Sequence, residues 1–263
     1  MPNRLRPYLT GALACGVLMF SSAVQGRMVL HLATGELPPY ATESRPDQGI
    51  VLALIRKAFD QAGYDVKYHF MPWSRAQVET RLGKWDGTAY WGKTADRARD
   101  FWLSDNVLTE QWVFVHRKDM PFDWHHEADL APYTIAVIPD YTYTPTFRKL
   151  LSEGTLKGDT TPDDLSGLRK LLFKRVDLLP IERNVACFLL HKRFSAEQIQ
   201  QLAAHPKRMT DQFTTHLMLS RQRAASPAIL KAFNKALAEL YRKKVPQQLL
   251  ASLSCDLHWT IAP

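Results

Sequence analysis

Residues 50–70 read Ile50-Val-Leu-Ala-Leu-Ile-Arg-Lys-Ala-Phe-Asp-Gln-Ala-Gly63-Tyr-Asp-Val-Lys-Tyr-His-Phe70. Val51, Leu54, Ile55, Ala58, Phe59 and Ala62 recur at three-and-four spacing with Arg56, Lys57 and Asp60 opposite, which predicts one buried helix face. Gly63 supplies the left-handed stop. Val66, Tyr68 and Phe70 then alternate as a strand. Upstream, Met28-Val-Leu-His-Leu-Ala33 predicts a strand ending at Thr34-Gly35. The loop Glu36-Leu-Pro38-Pro39-Tyr40 follows, where two prolines forbid continued pairing. Downstream, residues 73–82 predict a short helix stopped by Gly83, and Asp86 to Trp91 a third strand. Strand, helix, strand, helix, strand in this order is the signature of a parallel α/β layer. Ligands sit at the C-terminal strand ends of such sheets. That marks the Glu36–Tyr40 loop and the segment Tyr90–Arg97 as the candidate site.

A second α/β unit follows. Trp112-Val-Phe-Val-His116 predicts a strand, and Arg117 to Pro132, charged and proline-containing, a surface connection. Thr134–Ile138 and Val176–Leu179 predict strands. Helices are expected at Thr144–Leu151, Asp163–Lys174, 184–192 and 195–203, and His216–Leu219 returns as a strand. Ser226-Pro227 opens a long final helix that buries Leu230, Phe233, Leu237 and Leu240. Two such units predict two lobes with a cleft between them.

The ends and the composition place the chain. Arg4 and Arg6 precede an apolar run from about Tyr8 to Phe20, then small residues to Gly26, the layout of a secretory signal peptide over residues 1–26. Cleavage fits after Gly26, with Ala23 a competitor. Removing it takes two arginines and no acid, so net charge falls from +8 to +6. No other apolar run approaches the roughly 20 residues of a membrane span. The 46% hydrophobic content of 263 residues and the mean hydropathy of −0.26 fit a globular chain with a real core. Lysines and arginines alternate with acids, without a dense basic run, so no nucleic-acid partner is expected. Of three cysteines, Cys187 and Cys255 remain after cleavage, either paired or free.

Several segments together resemble a known family, the periplasmic solute-binding proteins of family 3, which serve ABC uptake systems for polar amino acids. They are Pro38-Pro39-Tyr40 with Gly49, Leu82-Gly83-Lys84-Trp85-Asp86, Thr94-Ala-Asp-Arg97, Leu103-Ser104-Asp105 and Arg175-Val176-Asp177. The resemblance spans the mature chain. It implies a two-lobed type II periplasmic binding protein fold, with two crossover strands near Glu110–Phe114 and Gln212–His216 and a central cleft. Lobe 1 would be 27–112 plus 213–263, and lobe 2 would be 113–212.

In the family, the arginine of Thr-x-x-Arg grips a ligand carboxylate, here Arg97, with Thr94 adding a hydroxyl. A guanidinium offers two parallel charge-assisted hydrogen bonds; the other reading is a surface arginine paired with Asp96 or Asp100. Glu182, five residues after Asp177, stands where the family binds the ligand's amino group, or is an exposed acid at a helix start. Tyr40 is expected to stack on the ligand or to pack on its own lobe. Trp73, Tyr90 and Trp91 would shape the side-chain pocket or fill core, and Arg75 would reach an acidic ligand group or face water. Tyr141-Thr142-Tyr143 stands where relatives have a Gly-Ser/Thr-Thr turn, and Thr142 keeps the hydroxyl. Tyr90-Trp91-Gly92-Lys93 replaces a small Ser/Gly-rich run, which implies a bulkier, more aromatic pocket.

His125-His126-Glu127 has no companion cluster at ligand spacing, so no metal is expected, and no motif implies a cofactor. The expectation is an exported monomer that binds a small polar solute, an amino acid or related zwitterion, and presents it to a membrane permease. Two other readings share the site: a periplasmic enzyme resembling cyclohexadienyl dehydratase, with Glu182 or Glu36 moving the proton, and a sensor for a separate receptor.

Overall fold

A computed structural model describes residues 26–253; the signal segment up to residue 25, and Cys255, lie outside them. The first half runs β1 (Met28–Thr34), α1 (Ile50–Gln61), β2 (Tyr64–Phe70), α2 (Trp73–Arg81), β3 (Gly87–Gly92), α3 (Ala95–Asp100), β4 (Phe101–Leu103) and β5 (Leu108–Arg117). The second runs β6 (Thr134–Val137), α4 (Pro145–Ser152), β7 (Lys157–Thr160), α5 (Asp164–Leu172), β8 (Leu178–Glu182), α6 (Arg183–Arg193), α7 (Ala196–Gln200) and β9 (Leu202–Ala204), then β10 (Thr210–Ser220), α8 (Ser226–Arg242) and α9 (Val245–Ala251).

The strands are ordered β2-β1-β3-β10-β5-β8-β6-β7, with β4 on β10 and β9 on β5. β1 pairs parallel with β2 and β3, and β6 parallel with β7 and β8. Each lobe is thus a small parallel sheet. Between them run two long antiparallel strands, β5 and β10, with Phe213 opposite Glu110 and Thr215 opposite Leu108. These are the expected crossovers, each longer than the sequence suggested.

The amphipathic pattern of α1 is realised as read. Val51, Leu54, Ile55, Ala58 and Phe59 are buried, and Gly63 takes a positive φ of 89°. The Phe59 ring meets Phe233 of α8 at 4.7 Å between centroids, which fixes the C-terminal helix on the first lobe.

Other segments differ from the reading. The helix expected over 195–203 stops at Gln200. Ser195 and Gln198 form its capping box, and Leu202–Ala204 instead pairs with β5, Ala204 opposite Val115. The connection after β5 is partly internal, because Trp124 and Leu130 are buried. The strand expected over 176–179 lies at Leu178–Glu182, buried throughout, so Glu182 closes a strand and caps α6. Cys187 is disulfide-bonded; the pairing with Cys255 falls outside the described residues.

Candidate functional site

Arg97 is set by a local capping device. Thr94 is extended and its hydroxyl accepts the Arg97 N–H at 3.2 Å, starting α3 and placing Arg97 in its first turn. The side chain is 9% exposed. Its guanidinium donates to the Gly92 carbonyl at 3.0 Å, to Gln77 Oε1 at 3.1 Å, to the Asp140 carbonyl at 3.5 Å and to the Thr142 hydroxyl, and it lies 4.5 Å from the Trp91 ring centre. Asp140 and Thr142 belong to the second lobe, so one arginine spans the cleft. Burial, with Arg148 nearby, lowers its pKa to about 10, which still leaves a cation at neutral pH. Asp96 and Asp100 pair with Arg99 and Arg81. The surface-pair reading of Arg97 is therefore wrong. All its hydrogen-bond partners are neutral oxygens, weaker acceptors than a carboxylate.

Two carboxyls face the cleft from the crossover and the second lobe. Glu110 on β5 is 2% exposed; it accepts from the Tyr90 hydroxyl and from Trp112 Nε1 at 2.7 Å. Glu182 is equally buried and accepts the Asn184 and Val185 N–H groups at 2.7 and 3.0 Å. The exposed-acid reading of Glu182 fails, although its position at a helix start holds. Desolvation raises the pKa of both; Asp164 adds repulsion at Glu110 and Glu110 adds it at Glu182, and no cationic side chain among the described residues relieves them. A third acid, Asp164, is buried with one hydrogen bond, from the Tyr141 hydroxyl at 2.6 Å, and one unpartnered oxygen.

A cavity of about 50 Å3 lies between the lobes. Trp73, Tyr90 and Trp91 line it as expected, with Gly92 and Thr142. Arg97 reaches its wall through Gly92, Asp140 and Thr142. Trp73 stacks edge-on to Trp91 at 5.1 Å, so these two rings serve both core and cavity. The remaining wall was not among the expected site residues: Leu37, Glu110, Trp112, Asp140, Tyr141, Phe213 and Thr215. A wider groove of about 880 Å3 shares Leu37 and Tyr141 with it and runs out past Arg45, Asp164 and Lys192.

Five expected site residues lie off the cavity lining: Arg97 and Glu182, described above, and Tyr40, Arg75 and Thr94. Tyr40 is 1% exposed; its ring packs near Tyr90 and its hydroxyl accepts from Asn184 at 2.7 Å across the cleft. The tight turn Leu37–Ala41 points Leu37, not Tyr40, at the cavity. Arg75 is exposed and pairs with Glu79 at 2.9 Å. Thr94 caps α3. Among the described residues no group of acids, histidines or cysteines is arranged to hold a metal.

Two α/β lobes joined by a pair of antiparallel crossover strands, with a charged cleft at the joint, define a type II periplasmic binding protein. The chain belongs to the bacterial extracellular solute-binding proteins, family 3, whose model matches residues 30–252. Solved structures share the fold at low identity. An ancestral arginine-binding protein bound to arginine has a TM-score of 0.72 at 16% identity, over 86% of this chain and 98% of that one. A structure concerned with glutathione import via GshT and the cystine ABC importer TcyBC of Streptococcus mutans has 0.72 at 20%, over 87% and 95%. The ancestral amino-acid-binding protein AncCDT-1, a precursor of cyclohexadienyl dehydratase, has 0.68 at 16%, over 86% and 94%. No curated protein sequence matches the chain.

Proposed function

We propose that this exported protein captures a small amino-acid-like zwitterion between lobes divided at 27–112 with 213–263 and 113–212, and delivers it to an ABC-type permease. The observation that carries the reading is an opposed pair of unsatisfied charges. Arg97 is a buried cation hydrogen-bonded only to neutral oxygens, with the Asp140 charge nearby, and Glu110 with Glu182 are buried acids with no cationic partner among the described residues. A zwitterion satisfies both ends at once: its carboxylate replaces Thr142 and the Asp140 carbonyl on Arg97, and its ammonium answers the acids. The family's membership of extracellular binding proteins and the leader read at residues 1–26 support export. A thermal-shift screen of amino acids, their N-alkyl derivatives and small organic acids tests the reading, because a ligand of the folded state raises the melting temperature with ln(1 + [L]/Kd). At least one zwitterion is expected to shift it; if only compounds lacking either charge do, the reading fails.

The same acids support a second reading, an enzyme. A carboxyl held protonated near neutral pH by burial is suited to proton transfer, and Glu110 beside Glu182 is a tuned pair that the sequence did not reveal. Glu36, the other acid considered for that role, accepts the Glu43 N–H at 2.8 Å at the exposed groove. Following the candidate compounds by NMR separates the readings: product formation establishes turnover, and unchanged ligand at saturating protein establishes capture.

A further inference from the structure

The cavity wall is unusual in what it lacks. Half of its lining is aromatic: Trp73, Tyr90, Trp91, Trp112, Tyr141 and Phe213. Their polar handles are mostly spent inside the protein. Tyr90 and Trp112 donate to Glu110, Trp91 donates to the Thr88 hydroxyl at 2.9 Å, and Tyr141 donates to Asp164. The neighbouring Thr215 hydroxyl donates to the Leu108 carbonyl at 2.8 Å. The rings thus meet the cavity as π-surface, with Glu110 set among them opposite Phe213, while the wall's other acid, Asp140, lies at the Arg97 end, where its charge acts on the guanidinium.

A primary ammonium brings three N–H donors, each needing an acceptor once desolvated. This wall supplies few. A methylated ammonium needs none: its charge is spread over methyl groups that pack on ring faces, held by the ring quadrupoles and by Glu110. The cavity, by the measure in which a water needs about 10–15 Å3, holds about three or four waters, a compact solute rather than a long one.

We infer that the ligand is a betaine-type zwitterion, a fully N-methylated ammonium joined to a carboxylate by a short linker, its cation in the aromatic cage around Glu110 and its carboxylate on Arg97. This rests on the zwitterion-capture reading and narrows it.

The test is calorimetric titration of the purified protein with glycine, N-methylglycine, N,N-dimethylglycine and N,N,N-trimethylglycine, which hold the carboxylate constant while N–H groups are replaced. Kd is expected to fall along the series, by about tenfold or more overall, the scale of a desolvated cation–π contact. Phe213→Leu should abolish most of that gain and Phe213→Tyr should keep it, each variant being taken forward on a cooperative thermal melt; Phe213 is only partly buried. Glu110→Gln should weaken trimethylglycine by about tenfold or more. Choline, a cation without the carboxylate, should bind far more weakly than trimethylglycine; equal binding overturns the two-ended site. A flat or rising Kd along the series, or absent trimethylglycine binding, overturns the cage. If an unmethylated amino acid then binds and is lost in Arg97→Ala, zwitterion capture stands without it. If no zwitterion binds, both fall.

Discussion

Asp164 carries one hydrogen bond, from Tyr141, and one buried oxygen without a partner, and burial pushes its pKa up to about 7. A carboxyl raised on folding stabilises the fold fully below its unfolded pKa near 3.8, and that stabilisation is lost as pH climbs through about 7. Urea unfolding should therefore give a lower stability at pH 8 than at pH 5, with Asp164→Asn flattening the difference by an amount on the order of 3 kcal/mol, the roughly two pH units between pH 5 and the raised pKa. An unchanged slope in the variant would show that Asp164 is not the group responsible. Glu110 and Glu182 are raised in the same direction, by burial first, with repulsion from Asp164 at Glu110 and from Glu110 at Glu182. A cationic group binds their ionised form, so ligand affinity should climb with pH through the neutral range, and Glu110→Gln should remove part of the climb; calorimetry at pH 6 and pH 8 reads it directly. At this scale sequence reasoning was uneven. Thr94 and Arg97 were singled out through the family's Thr-x-x-Arg stretch; the residues alone fitted a surface arginine paired with Asp96 or Asp100 just as well. Glu110 was not, because a single acid in a strand beside Trp112-Val-Phe-Val has no spacing partner, and its meaning comes from Tyr90 and Glu182 arriving from elsewhere. Tyr40 packs on its own lobe against Tyr90, the second of its two readings, since the turn at Leu37–Ala41 decides which side chain faces the cleft.

The elements around the site depend on close approach. Gly92 ends β3, and a Cβ there would lie 2.8 Å from Thr142 Cβ and 2.5 Å from the Phe213 ring. Real side chains do not sit that close, so Gly92→Ala should wedge the lobes apart. The expected outcome is a protein that still melts cooperatively but binds its ligand about tenfold or more weakly, since closure then costs strain of about 1–3 kcal/mol; wild-type affinity would mean that the approach is not needed. On the far side of the lobe, Phe233→Ala should lower stability by roughly 3–5 kcal/mol, because the ring is fully buried against Phe59, and denaturant unfolding measures it. Helices with a long apolar stripe, α1 and α8, were read closely, except that in α8 Ile229 is buried and Leu230, expected in the core, is only half-buried. The polar strand Lys157-Gly-Asp-Thr160 was passed over, because it lies at the sheet edge beside β6 alone and has no apolar alternation to betray it. Leu202–Ala204 was read as helix because its strand character comes only from pairing with β5.

In the whole molecule, β5 and β10 are the chain's two passages between lobes, and the cleft residues fall on or beside them: Glu110 and Trp112 on one, Phe213 on the other. Ligand contacts and lobe position are therefore coupled through the same strands. Bonds across the cleft, Arg97 to Thr142 and Asn184 to Tyr40, are of the kind that hold two lobes together. The two-lobed architecture could be read from the order of periodic segments and from the family resemblance. The cage could not, because its six rings come from both lobes and a crossover. The most direct measurement is calorimetry of the best zwitterion from the thermal screen, against wild type and Arg97→Ala. Truncating a buried group that pairs with a charge costs several kcal/mol, so the account predicts an affinity lower by about a hundredfold or more. An affinity within a factor of about two of wild type, too small a change for a lost buried charge pair, would contradict it, since the carboxylate would then be held elsewhere.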